Sequence, residues 1–103
     1  MKVFKGEVRQ NRIVEPPESD IKTLEVTYRQ GGRTVWHVHE RDQIMYVTNG
    51  RGFVEDDTEH LEVHMGDLVF IPKETRHRHG AYPDSEMTHL SFMTGGGTTM
   101  EDD

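Results

Sequence analysis

Apolar and polar residues alternate one by one along most of this chain. In KTLEVTYRQ, Leu24, Val26 and Tyr28 share one face while Glu25, Thr27 and Arg29 share the other. That period of two is the pattern of a half-buried β-strand. It returns in QIMYVTNG, RGFVEDD, HLEVHMGD, LVFIPK, TRHRHGAY and EMTHLSFMT. Turn signals separate the runs at Gly31-Gly32, Asn49-Gly50, Asp56-Asp57, Met65-Gly66-Asp67 and Pro83-Asp84. Of these, Asn49-Gly50 predicts a tight hairpin, since both residues tolerate a positive φ. No stretch holds a helical period beyond about two turns, less than an average helix. Seven or eight short strands at this spacing predict an antiparallel sandwich or barrel, an all-β fold. Pro16-Pro17 predicts a turn or extended linker after the first strand. One domain is expected over residues 1–95, with the Gly-rich acidic residues 96–103 as a flexible tail.

Composition narrows the class. A chain of 103 residues supports one domain with one core. Its hydrophobic fraction of 32% is low, but the apolar residues cluster regularly, which argues for a thin barrel rather than disorder. A net charge of −7 with no compensating basic stripe argues against nucleic acid or an anionic membrane as partner. Cysteine is absent, so disulfides and thiol nucleophiles are excluded. The start, MKVFKGEVRQ, has no apolar run of the signal-peptide kind, and no segment reaches the length of a membrane span. The expectation is a soluble cytoplasmic protein acting on a small molecule. Exposed sheet edges in so small a barrel predict pairing by a second copy, as a homodimer or higher homo-oligomer.

Against this plain background the histidines stand out. His37 and His39 are two residues apart and project from the same side of one strand. His77 and His79 repeat the arrangement, with Arg76 and Arg78 on the opposite face. Gln43 shares a face with Met45 and Val47, and His89 shares one with Ser91 and Met93. Apolar company on these faces predicts that they point inward. Any one such histidine reads as an ordinary polar residue, but two paired sets change the balance. Several imidazoles buried together are most simply kept neutral and satisfied by a cation, and neutral imidazole is the commonest metal ligand. His60 and His64 lie in a charged hairpin and are expected to face solvent.

The spacing also resembles a known family. GGRTVWHVHERDQIMYVTNG, residues 31–50, is similar to the first cupin motif, G-x5-H-x-H-x3-E-x6-G, at every spacing. GDLVFIPKETRHRHGA, residues 66–81, is similar to the second, G-x5-P-x-G-x2-H-x3-N, through Gly66, Pro72 and His77. Gln43 stands in place of Glu, Glu74 in place of Gly, and Ala81 in place of Asn. With Gln43, and with His77, His79 and His89 downstream, the chain resembles the small bacterial cupins with hydroxynitrile lyase activity. Those are grouped with carboxymuconolactone-decarboxylase-associated cupins. The resemblance implies a double-stranded β-helix, the cupin jelly-roll barrel. It further implies a divalent metal, manganese first and iron, nickel or zinc as alternatives, on His37, His39, Gln43 and His77. His79 and His89 are implied in proton transfer.

Ligand chemistry separates the activities. Three neutral imidazoles and a neutral amide leave a divalent ion its full charge, which favours anionic oxygen or cyanide and disfavours oxidation. A lyase that breaks a C–C bond beside a hydroxyl fits that charge. A dioxygenase fits less well, and a binding module leaves two non-ligand histidines without a task. Leu24, Val26, Tyr28, Met45, Phe53, Phe70 and Met93 are the expected apolar pocket wall.

Overall fold

The alternating runs become strands in the computed structural model, which describes residues 4–12 and 16–101. Eleven strands and no helix occur among the described residues: β1 Phe4–Lys5, β2 Val8–Arg12, β3 Ile21–Tyr28, β4 Arg33–Thr34, β5 His37–His39, β6 Gln43–Asp56, β7 His60–His64, β8 Leu68–Ile71, β9 His77–Ala81, β10 Met87–Thr94 and β11 Thr98–Met100. All pairings are antiparallel. The count exceeds the seven or eight expected because short edge segments pair that carry too few residues to show a period.

β6 organises the barrel. Its first half lies between β8 and β10, and its second half lies between β7 and β9. One sheet therefore runs β2-β3-β10-β6-β8 and the other β7-β6-β9-β4-β1, with β5 and β11 added beside β9. The hairpin expected at Asn49-Gly50 does not form. The strand continues through it: Val47 faces His89 and Asn49 faces Thr88, so Thr48 is an extra residue in the ladder. Gly50 sits at φ 78°, and a Cβ there would lie 2.0 Å from the Glu86 carbonyl oxygen. The same left-handed freedom that makes Asn-Gly a turn former here serves a bulge that passes one strand between two sheets.

The interior has two kinds of lining. Val26, Tyr28, Met45, Val47, Val54, Val63, Ile71, Ala81 and Met87 form the hydrophobic core. Continuing along the same inward faces, Thr34, His37, Gln43, His77, His79, His89 and Ser91 are also buried. Strand parity accounts for this, since Gln43, Met45 and Val47 alternate with the exposed Ile44 and Tyr46. It also corrects the expectation for Phe70. That residue pairs with Ile44 on the outer face and is 60% exposed, while its neighbours Val69 and Ile71 turn inward. Met45 belongs to the core cluster, and Phe53 packs on His60 and Tyr82, so neither lines the site cavity described below.

The tail also departs from expectation. Thr98–Met100, inside the segment read as flexible, forms β11 and pairs with β5, placing Thr98 opposite His39 and Met100 opposite His37. β-branched Thr98 and Thr99 favour an extended chain, and the preceding glycines give it room to turn back. Arg76 clamps this end through Glu101 and Asp57, and Arg76 and Arg78 both stack on Trp36, at 4.0 and 4.6 Å from its ring centre. His60 and His64 are exposed, as their hairpin predicted.

Candidate metal centre

Register brings the two histidine pairs together. His37 of β5 is the direct cross-strand partner of His77 of β9, and their rings lie 4.2 Å apart centre to centre. His39, two residues on, lies 5.2 Å from His77 and 4.7 Å from His37. Each of the three offers a ring nitrogen within 4.8 Å of the others. Ligands on one ion at bond lengths near 2.0–2.3 Å would be about this close. Gln43 enters from the facing sheet, its Oε1 3.3 Å from His77 Nε2.

The hydrogen bonds around these rings decide which nitrogens are available. His37 Nδ1–H donates to the Val35 carbonyl at 2.7 Å, and His77 Nδ1–H to the Thr75 carbonyl at 2.8 Å. His39 Nδ1 bonds Thr98 Oγ1 at 2.9 Å, and its Nε2 is buried without any partner. Neutral rings whose Nδ1 carries the proton have a bare Nε2. His77 Nε2 and Gln43 Oε1 are therefore two acceptors facing each other. Gln43 is held in that sense because its Nε2 donates to Ser91 Oγ at 2.9 Å. Lone pairs converging in a buried space are unfavourable on their own and are resolved by a cation. The residues present fit a divalent metal.

Burial keeps these rings neutral. Desolvation is the leading cause at every one, pushing His77 to about 3 and His39 to about 4, and lowering His37. The mutual repulsion of the rings adds to it at His39 and His77. Neutral imidazole is the form that ligates, so the fold supplies the set ready deprotonated.

His79 and His89 are brought to the same interior but not into the cluster. His79 lies 5.4 Å from the His37 ring and 5.6 Å from that of His77, and His89 lies 5.3 Å from His79. Tyr28 Oη joins them, 2.8 Å from His79 Nδ1 and 3.0 Å from His89 Nε2. His79 Nε2 and His89 Nδ1 are buried and unpartnered. Desolvation lowers both, His79 well below the usual imidazole range and His89 to about 4. A cavity of about 160 Å³ reaches His37, His39, Gln43, Tyr28, His79 and His89 and is walled by Phe4, Leu24, Val26, Met93 and Met100. A larger groove of about 300 Å³, lined by Leu61, Phe70 and Pro72, reaches His77 but none of the three unpartnered histidine nitrogens.

The structure adds four contributors. Parity places Ser91 and Tyr28 on inward faces, but the bond of Ser91 to Gln43 and those of the Tyr28 hydroxyl to two histidines arise only in the folded barrel. Thr98 and Met100, in the segment expected to be a tail, carry no sequence signal for the site they reach.

Known proteins share this arrangement of strands. The chain is 36% identical over 92 residues to a protein of Granulicella tundricola named (R)-mandelonitrile lyase, covering 87% of this chain and 70% of the relative. The crystal structure of a cupin-like protein from Thermotoga maritima superposes with a TM-score of 0.92 at 31% identity, covering 97% of this chain and 80% of the other. The polyketide cyclase RemF of Streptomyces resistomycificus shares the fold, with a TM-score of 0.83 at 20% identity over 94% of this chain and 72% of that one. The profile of the cupin domain matches residues 24–93. A barrel of two antiparallel sheets joined by one long strand, with HxH pairs meeting inside it and that match across its length, makes this chain a member of the cupin domain family.

Proposed function

We propose that the chain is a metal-dependent lyase that breaks a C–C bond beside a hydroxyl-bearing carbon, as a hydroxynitrile lyase does. The observation that supports this best is the convergence of bare acceptors from His37, His39, His77 and Gln43, beside a small cavity that His37, His39 and Gln43 share with two neutral, unpartnered imidazoles. His37, His39, Gln43 and His77 would hold the ion, and manganese, iron, nickel and zinc all accept such a set. Bound there, a divalent ion supplies positive charge for a developing oxygen anion, undiminished because none of the four residues is anionic.

The chain's own residues account for the rest. His79 takes the hydroxyl proton of a cyanohydrin. The bond to the nitrile carbon breaks with its electron pair leaving on cyanide, and the hydroxyl carbon becomes a carbonyl. The proton gained at His79 is passed on from its Nδ1 through the Tyr28 hydroxyl to His89 Nε2, and His89, the second unpartnered imidazole, gives its Nδ1 proton to the cyanide, so that both rings end neutral. Desolvation keeps both rings neutral at physiological pH, so His79 can accept a proton without first losing one, and His89 donates only as it is resupplied through Tyr28. A cavity of about 160 Å³ is half the lower bound of a drug-sized site, which restricts the substrate to a small, partly apolar molecule. The relative named (R)-mandelonitrile lyase supports the same reaction class.

The test is metal analysis of the purified protein together with cleavage of mandelonitrile, followed by the absorbance of the aldehyde formed. Chelation should abolish turnover and a divalent metal should restore it, with no oxygen consumed. Turnover that survives verified metal removal, or oxygen uptake in step with product, would sink this reading.

A further inference from the structure

Tyr28 is wholly buried, and its ring lies nearly parallel to that of His89 and edge-on to that of His79. Its hydroxyl makes both of the hydrogen bonds that tie the two histidines together. We propose that Tyr28 is a positioning residue whose single hydroxyl proton forces complementary roles on His79 and His89, leaving His79 Nε2 bare as the base and His89 Nδ1 protonated as the donor.

The argument begins with a proton count. The side chains of Tyr28, His79 and His89 are buried and hydrogen-bond only to one another, with no counter-charge among their partners, so all three groups are neutral. A neutral phenol donates once. With a ring nitrogen on each side of its oxygen, it must donate to one and accept from the other. Two arrangements satisfy this. In the first, His79 Nδ1–H donates to Tyr28 and Tyr28 donates to His89 Nε2, which leaves His79 Nε2 bare and His89 Nδ1 protonated. In the second, every bond is reversed, so His79 Nε2 carries the proton and His89 Nδ1 is bare. Either way, one of the two unpartnered nitrogens is a donor and the other an acceptor.

One feature selects the first arrangement: positive charge held among His37, His39 and His77 would attract a lone pair on the neighbouring His79 and repel an N–H. The hydrogen-bond order then runs from His79 through Tyr28 to His89, with both rings protonated at Nδ1. That is the less common tautomer of a free histidine side chain, which makes it recognisable.

The coupling of the two tautomers stands on the Tyr28 geometry and its sense on charge at the three-histidine site; only its use in proton transfer rests on the lyase reading. The experiment is therefore spectroscopic. Long-range ¹H–¹⁵N correlation of the imidazole rings is recorded at neutral pH on the full chain loaded with zinc, which is diamagnetic. His79 and His89 should both show a protonated Nδ1 and a bare Nε2. In Tyr28→Phe, both should lose that lock and shift toward the common Nε2–H form, while His37 and His77 keep their Nδ1–H signals and report an intact site. If Tyr28→Phe does not fold, the parent spectrum decides by itself. Both rings protonated at Nε2, or the two rings in unlike tautomers, would overturn the assignment, as would unchanged tautomers in a folded Tyr28→Phe. Failure to cleave mandelonitrile would leave this spectrum as expected, so the two proposals fail separately.

Discussion

Removing the metal and lowering the pH should expose the cost of burying neutral histidines. The fold lowers His77 to about 3 and His89 to about 4, whereas an unfolded chain titrates each near 6.5. Below pH 6.5 the unfolded state therefore binds protons that the folded state refuses. Stability is full above pH 6.5 and falls as the pH drops, until it reaches the folded pKa values. Each such group contributes a slope of about 1.4 kcal/mol per pH unit. His77 and His89 together should thus remove on the order of 5 kcal/mol between pH 6.5 and 4.5, against roughly 5–15 kcal/mol for a whole domain. His37 and His79 are lowered too and push in the same direction. Urea unfolding of the metal-free protein across that range, followed by the fluorescence of its one tryptophan, Trp36, reads the slope directly. His89→Gln should reduce it by about one proton. A stability that stays flat from pH 6.5 to 4.5, or a slope unchanged in His89→Gln, would refute the reasoning.

Three other outcomes follow from single contacts. Glu74 occupies the left-handed region at φ 65°, where the second cupin motif carries Gly, so Glu74→Gly should raise stability by about 1 kcal/mol and Tm by several degrees, read by a melting curve. Ser91→Ala frees the Gln43 amide to rotate and should weaken metal binding by about ten- to a hundredfold in a chelator competition, with the fold intact. Gln43→Glu should hold metal at least as tightly but bind azide or cyanide more weakly, because the carboxylate offsets part of the ion's charge; tighter anion binding would contradict the electrostatic argument.

What the sequence determined by itself is whatever depends on parity. Alternation along VWHVH, QIMYVTNG, TRHRHGAY and EMTHLSFMT specified strands, and with them the inward side of His37, Gln43, His77, His79 and His89, because successive side chains on a strand must point to opposite faces. Motif spacing carried the family in the same way. Tertiary structure decided what parity leaves open, namely which strands pair and in what register. Asn49-Gly50 has the same local chemistry in a hairpin as in a bulge, and only the pairing of β6 with partners in both sheets selects the bulge. Phe70 reads as pocket wall until β8 is set against β6 and its parity is fixed by Ile44. Thr98 approaches His39 across 59 positions of chain, and Tyr28 reaches His79 across 51 and His89 across 61. A strand's own sequence encodes its two faces, but the partner across each face is chosen by the closed barrel as a whole. The hydroxyl of Tyr28 therefore acquires its role only when β3, β9 and β10 meet.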